Sequence, residues 1–209
     1  MPVIAIVGNK GGAGKTTLTI NLSAMLSHDH DVVILDADPQ RSSLQWRDIA
    51  EIHPSLAVIE ATDDVGKVLG RIRNQYRYCM IDCPPSVHST QMQQALRVAD
   101  LALVPVQPSP LDIWATVHIE EEIERSRKDN PVLNALLVIN QLEPRTKLSR
   151  IMRRAMDELS LPAAETEIRR RAAYRNSFLE GRTAHDMGAS GVAASEEIQN
   201  LIQEMEKYL

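Results

Sequence analysis

Gly8-Asn9-Lys10-Gly11-Gly12-Ala13-Gly14-Lys15-Thr16-Thr17 decides the fold of this 209-residue chain. The apolar run Val3–Val7 leads into it, and Leu18, Leu22, Met25 and Leu26 follow at helical spacing. A strand, a glycine-rich turn and a helix in that order make a cradle for phosphate. Small residues let the backbone fold around an anion with its N–H groups pointing inward. Gly11, Gly12 and Gly14 supply that freedom, with Ala13 between them. Lys15 can reach terminal phosphates, the Thr16 hydroxyl can ligate Mg²⁺, and Thr17 completes the run. The helix that begins after Gly14 adds the positive end of its dipole. A strict phosphate loop would have glycine at position 9, so Asn9 makes this one a variant. A chance glycine-rich turn is the plain alternative, and the flanking strand and helix weigh against it.

Two further strand ends carry carboxylates. Val32–Leu35 runs into Asp36-Ala37-Asp38-Pro39-Gln40, and Tyr78–Ile81 runs into Asp82-Cys83-Pro84-Pro85. Ligands of an open parallel sheet gather at the carboxyl ends of its strands, which places these groups beside the loop. Nucleotide hydrolysis needs one carboxylate near Mg²⁺ and another group that orients the attacking water. Asp82 suits the magnesium role, and Asp36 or Asp38 suits the water. A lone strand-ending aspartate is usually a turn or cap residue; two in order after a phosphate loop are not.

The remaining chain repeats the strand–helix alternation. Apolar runs Leu56–Ile59, Leu101–Val106 and Ala135–Ile139 are near-continuous, as in strands buried on both faces. Ser109-Pro110-Leu111-Asp112 reads as a helix start, with Ser109 as cap, Pro110 in the first turn and Asp112 at the acidic third position. No linker, repeat or low-complexity tract interrupts the pattern. Residues 1–209 therefore read as one α/β domain, a mostly parallel twisted sheet flanked by helices. At this length a fold buries roughly 70% of the surface its unfolded chain exposes, so no disulfide or metal staple is required.

Composition removes several classes. The charged fraction of 24% excludes wholesale disorder, and seven aromatics argue against a stacking platform for single strands. No apolar run approaches the ~20 residues that span a bilayer. No basic leader precedes the apolar start Pro2–Val7, and no small-residue cleavage site follows it. Cys79 and Cys83 fit neither a disulfide framework nor paired zinc-ligand spacing, and read as small buried hydrophobes of a reducing cytoplasm. Ile198, Leu201, Ile202, Met205 and Leu209 form one stripe, but the same segment bears Glu196, Glu197, Glu204 and Glu206 against Lys207. Anionic lipid would repel it, so the sequence predicts a helix packed on the core.

With these residues on the page, Lys10-Gly11-Gly12-Ala13-Gly14-Lys15-Thr16-Thr17 resembles the deviant Walker A motif of ParA/MinD-type ATPases, whose mark is a second lysine, here Lys10. Asp36-Ala37-Asp38-Pro39-Gln40 is similar to the family's second motif, and Met80-Ile81-Asp82-Cys83-Pro84-Pro85 to its Walker B segment. Val104-Pro105-Val106-Gln107-Pro108-Ser109-Pro110-Leu111-Asp112 resembles the small plasmid-partition ParA proteins. The likeness spans essentially the whole chain. It implies an ATP-bound sandwich homodimer in which Lys10 reaches the opposite subunit's phosphates. It also implies Mg²⁺ held by Thr16 with Asp82 in support, and Asp38 positioning the water. Asn140 resembles an adenine-reading position, a strand-ending turn residue being the alternative. The first strand starts at residue 3, without the N-terminal operator-binding domain of larger ParA proteins, so sequence-specific repression is not expected.

The resemblance further implies hydrolysis of ATP stimulated by a ParB-like or organelle-adaptor partner, on nucleoid DNA bound without sequence preference. The cargo would be a plasmid or a protein organelle such as a carboxysome. From Arg145 to Arg175 there are nine basic residues against four acids, so this segment is +5 within a chain of −5. Lys147, Arg150 and Arg154 follow helical spacing on one face. A solvated helix face is the plain reading; with the resemblance, Lys147, Arg150, Arg153, Arg154, Arg169, Arg170 and Arg171 become the candidate contacts to double-stranded DNA phosphates. Competing classes fit less well. Iron-protein relatives need cluster cysteines outside the Walker B strand, and the family's synthetases lack Lys10. A GTPase needs Asn-Lys-x-Asp where Asn140-Gln141-Leu142-Glu143 stands, and a MinD-like membrane cycler needs a basic amphipathic tail.

Overall fold

A computed structural model of the protein describes residues 1–144 and 146–209, without the side chains of residues 147–150. Six strands form one sheet: β1 (Val3–Ile6), β2 (Val32–Asp36), β3 (Ala57–Glu60), β4 (Tyr78–Asp82), β5 (Leu101–Val106) and β6 (Asn134–Ile139). Their order is β3-β2-β4-β1-β5-β6, and every pairing is parallel. The apolar runs predict these strands to within a residue or two. The differences matter at the carboxyl edge of the sheet, because Asp36 and Asp82 are themselves the last residues of β2 and β4, paired in register.

Among the described residues, eight α-helices cover the sheet: α1 (Lys15–Leu26), α2 (Ser42–Ile49), α3 (Val65–Ile72), α4 (Thr90–Val98), α5 (Pro110–Ser126), α6 (Lys147–Asp157), α7 (Ala172–Leu179) and α8 (Val192–Met205). Alternate strand residues face opposite layers. Val3, Ala5, Val33, Leu35, Cys79 and Ile81 pack with α3, α4, α5 and α6. Ile4, Ile6, Ile34 and Met80 pack with α1, α2, α7 and α8, around the fully buried Trp46. Both cysteines are buried and free, and burial pushes the Cys79 thiol up to about 12. Most of the C-terminal stripe is core: Ile198, Leu201 and Met205 are buried against α1 and Ile202 is half-buried, whereas Leu209 is exposed.

One edge of the sheet is dressed by extended chain. Leu137 N–H donates to the Pro162 carbonyl and Ala164 N–H to that of Leu137. Ile168 N–H donates to Ile139 and Leu142 N–H to Ile168. Residues 162–170 thus run along β6 and hide its unpaired backbone, delivering Arg169, Arg170 and Arg171 to the carboxyl end of the sheet.

The predicted start of α5 needs one correction. Ser109 does occupy the cap position, but its side chain makes no capping bond. Its backbone carbonyl takes the Asp112 and Ile113 N–H groups instead. The Asp112 carboxylate is drawn away to Lys10, 3.1 Å distant.

Candidate nucleotide site

β1 lies between β4 and β5, and the helices that follow β1 and β5 pack on opposite faces. The loop leaving β1 therefore opens into the crevice at the sheet's switch point. Gly12 and Gly14 both adopt positive φ, at 77° and 88°. At Gly14 a Cβ would stand 2.3 Å from Asn140 Nδ2, so both the backbone and its neighbour demand glycine. α1 starts at Lys15 with no side-chain cap and no acidic residue in its first turn. Its first N–H groups are left for an anion.

A cavity of about 640 Å³ opens over this loop. Gly11, Gly12, Gly14, Lys15, Thr16, Thr17, Asp38 and Asn140 line it. Ala13 sits just behind, its carbonyl accepting a 2.6 Å hydrogen bond from Asn140 Nδ2. Lys15 is buried, and its Nζ donates to the Lys10 carbonyl at 3.0 Å. Burial lowers the Lys15 pKa, opposed by the charges of Asp82 and Asp38. Lys10 points the other way, its Nζ paired with Asp112 Oδ2 on α5.

The three aspartates separate into distinct environments. Asp36 is fully buried; Oδ1 accepts the Asp38 N–H at 3.2 Å and Oδ2 the Leu44 N–H at 3.0 Å. Burial raises its pKa, and those N–H groups oppose the rise. Asp38 reaches the cavity wall, with Oδ1 accepting the Gln40 N–H. Asp82 is wholly enclosed, and burial lifts its carboxyl to about 7 against the pull of the Thr16 and Ser43 hydroxyls. Ser43 Oγ donates to Asp82 Oδ2 at 2.8 Å, while Asp82 Oδ1 has no hydrogen-bond partner among the described residues.

Sequence reasoning missed four residues here. Gln107 and Gln141, just past β5 and β6, both donate side-chain amides to the Gly12 carbonyl, at 2.8 and 2.7 Å. Ser43 and Asp112 hold Asp82 and Lys10. Gln107 and Asp112 lay within a quoted motif, but nothing in their spacing told which loop atoms they would meet.

The predicted basic residues that are described have differing surroundings. Arg169, Arg170 and Arg171 line the same cavity, together with Tyr174, Arg175 and Phe178 from α7. Arg170 pairs with Glu143 at 2.7 Å and Arg171 with Glu197 at 2.6 Å. Arg153 donates to the Ala164 and Glu165 carbonyls and pairs with Glu167, so it clasps α6 to the edge segment. Among the described residues, Arg154, Arg169 and Arg175 make no ion pair. Lys147 and Arg150 occupy the first turn of α6, but their side chains lie outside the described residues, as does Arg145.

Residues 4–184 match the family model of the CobQ/CobB/MinD/ParA nucleotide binding domain. Over 206 residues the chain is 38% identical to the "Maintenance of carboxysome distribution protein A" of Halothiobacillus neapolitanus, covering 97% of this chain and 95% of that protein. The fold matches a plasmid partition protein from Borrelia burgdorferi, with a TM-score of 0.74 at 17% identity over 100% of this chain and 99% of that one. It also matches the septum site-determining protein MinD of Pyrococcus horikoshii OT3 complexed with Mg-ADP. There the TM-score is 0.75 at 19% identity, over 98% and 97% of the two chains.

Proposed function

Because the chain belongs to the CobQ/CobB/MinD/ParA nucleotide-binding family, we propose that it is a ParA-type ATPase that positions cargo through an ATP-bound homodimer on DNA. One observation carries the reading: Lys15, Thr16 and Asp38 line one cavity over an uncapped helix N-terminus, with Asp82 enclosed behind them against the Thr16 hydroxyl. The near full-length likeness to a carboxysome distribution protein favours a carboxysome-like organelle over a plasmid as cargo.

The donor set suits ATP with Mg²⁺. Phosphates would take the N–H groups of residues 11–16 and the Lys15 ammonium, and Mg²⁺ would take the Thr16 hydroxyl with Asp82 in support. Mg²⁺ usually keeps several waters and uses one or two protein ligands beside the phosphates. Among the described residues no group of three or more His, Cys, Asp or Glu forms a metal cage of its own. When bound, the ion neutralises charge on the phosphates. Asp38 lies at the cavity wall and is the candidate for orienting water, whereas both oxygens of Asp36 are occupied by backbone N–H groups. Asn140 is held against the loop and suits a base or ribose contact at its edge.

Lys10 lies at the rim, paired to Asp112 within its own subunit. To serve the opposite subunit it must leave that carboxylate, so charge stabilisation by Lys10 would arrive only with dimer closure, in the manner of an arginine finger. DNA binding falls to the start of α6 and Arg154, rather than to Arg153, Arg170 and Arg171, which are engaged inside the chain. The membrane-cycling alternative is weakened because Ile198, Leu201 and Met205 of the C-terminal apolar stripe are buried in the core. No helix among the described residues is long and apolar enough to cross a membrane. The deciding experiment measures ATP turnover of the pure chain with and without random-sequence duplex DNA and an organelle-adaptor partner. Stimulation by both supports the proposal; turnover indifferent to DNA, or raised by anionic vesicles instead, overturns it.

A further inference from the structure

We propose that Ser43 is a positioning residue for the magnesium-supporting carboxylate, fixing the Asp82 side chain so that its free oxygen faces the ion. The proposal rests on the reading that Asp82 supports Mg²⁺. Ser43 is fully buried in the first turn of α2, 39 residues from Asp82 in sequence, with its hydroxyl 2.8 Å from Oδ2. Asp82 is wholly buried as well, and its Oδ1 has no partner among the described residues. A buried carboxylate oxygen left unpaired is costly unless something else satisfies it. With the Thr16 hydroxyl also acting on this carboxylate, the Ser43 tether fixes the rotamer from the α2 side and leaves the other oxygen for the ion.

The tether comes from an element that also holds the neighbouring strand. The Leu44 N–H, next along the same turn, donates to Asp36 Oδ2, and Asp36 and Asp82 are register partners at the ends of β2 and β4. One turn of helix thereby grips both buried carboxylates. The chain entering that turn is Asp38-Pro39-Gln40-Arg41-Ser42, so the segment bearing the water-orienting candidate is anchored through the same contact. Hydrogen bonds to a ligating carboxylate commonly decide its orientation, and losing one costs roughly 10- to 100-fold in metal affinity.

The test uses the full chain and a fluorescent AMPPNP analogue, titrated with Mg²⁺, and separately measures analogue affinity without Mg²⁺. Ser43→Ala should raise the Mg²⁺ midpoint by roughly 10- to 100-fold while Mg²⁺-free affinity stays within about twofold of the parent. Ser43→Thr, which keeps the hydroxyl, should restore most of the midpoint. In an Asp82→Asn background Ser43→Ala should add nothing, because the group it orients is gone. A parental midpoint in Ser43→Ala beside a shifted Asp82→Asn overturns the proposal alone. An equal loss of Mg²⁺-free affinity in Ser43→Ala also overturns it, since that marks general distortion of the loop. A parental midpoint in Asp82→Asn overturns the magnesium reading and the proposal with it.

Discussion

At the scale of single residues, two lysines five positions apart have opposite surroundings. Lys15 is buried under the loop it serves, and Lys10 lies at the rim in a pair with Asp112. Lys15→Ala should therefore abolish most ATP affinity and all ATP-dependent dimerisation, read by equilibrium binding and light scattering. Lys10→Ala should keep monomeric ATP binding and lose dimer closure and turnover. Equal loss of affinity in both variants would remove Lys10 from the trans role.

Asp38 and Asp82 yield two further outcomes at this scale. Asp38→Ala should still bind ATP and dimerise, while single-turnover hydrolysis falls by orders of magnitude and DNA-bound dimer accumulates. Retained turnover would move water orientation elsewhere. Asp82 has its carboxyl lifted to about 7 by burial, so protons compete with Mg²⁺ across neutrality. The Mg²⁺ midpoint for AMPPNP binding should rise as pH drops from 8 to 6 and flatten above. A midpoint constant over that range would mean that Asp82 is already ionised without the ion.

At the scale of elements, the loop between α2 and β3 is held by Arg47, which donates to the Ala50 and Pro54 carbonyls, and is clasped to a distant segment through His53. His53 Nε2 lies 2.8 Å from Asp186 Oδ2, beside the buried Trp46 ring. Burial alone would raise the Asp186 carboxyl, but the Thr183 hydroxyl and N–H and the His53 ring together hold it below the usual value of 3.8. A depressed carboxylate contributes stability that is present above the unfolded pKa and is lost as pH falls through the folded one. Urea midpoints of the parent and Asp186→Asn should accordingly differ most at pH 6 and converge towards pH 3. A gap that widens in acid would contradict the sign of the shift. The core beneath is less forgiving: Trp46→Ala should cost about 3–5 kcal/mol in denaturant unfolding, as large-to-small changes at enclosed aromatics do.

At the scale of the whole molecule, the proposed function predicts that dimerisation and DNA binding are coupled, because closing two chains would double the basic groups that one duplex can meet. Replacing Lys147, Arg150 and Arg154 with Glu should remove ATP-dependent binding to random duplex while nucleotide-driven dimerisation persists. For every DNA phosphate that the variant no longer neutralises, the slope of log K against log salt should flatten by roughly 0.9. Binding with the parental affinity and slope would place the DNA elsewhere. Arg169 and Arg175 at the cavity rim are then the remaining basic groups of this segment without an ion pair among the described residues. Arg153→Glu is a separate case: it breaks the clasp between α6 and the edge segment, and its effect should appear first in stability.

What the sequence determined by itself was whatever depends on local chemistry. A glycine-rich turn between a strand and a helix, apolar runs of strand length, and aspartates at strand ends are all set by neighbours within a few residues. They specified the parallel α/β sheet, the phosphate loop and its edge, and the core placement of the C-terminal helix. Only tertiary structure decided which aspartate faces the cavity and which is enclosed, because Asp36 and Asp38 differ by their contacts with α2 and not by their spacing. It alone paired Lys10 with Asp112, 102 residues on, and Ser43 with Asp82, 39 residues on. It also carried Arg169, Arg170 and Arg171 of the basic segment to the candidate nucleotide cavity, since residues 162–170 pair along β6. Charge patterning fixes how many basic groups a segment has; which of them meet a carboxylate depends on backbone hydrogen bonds formed far along the chain.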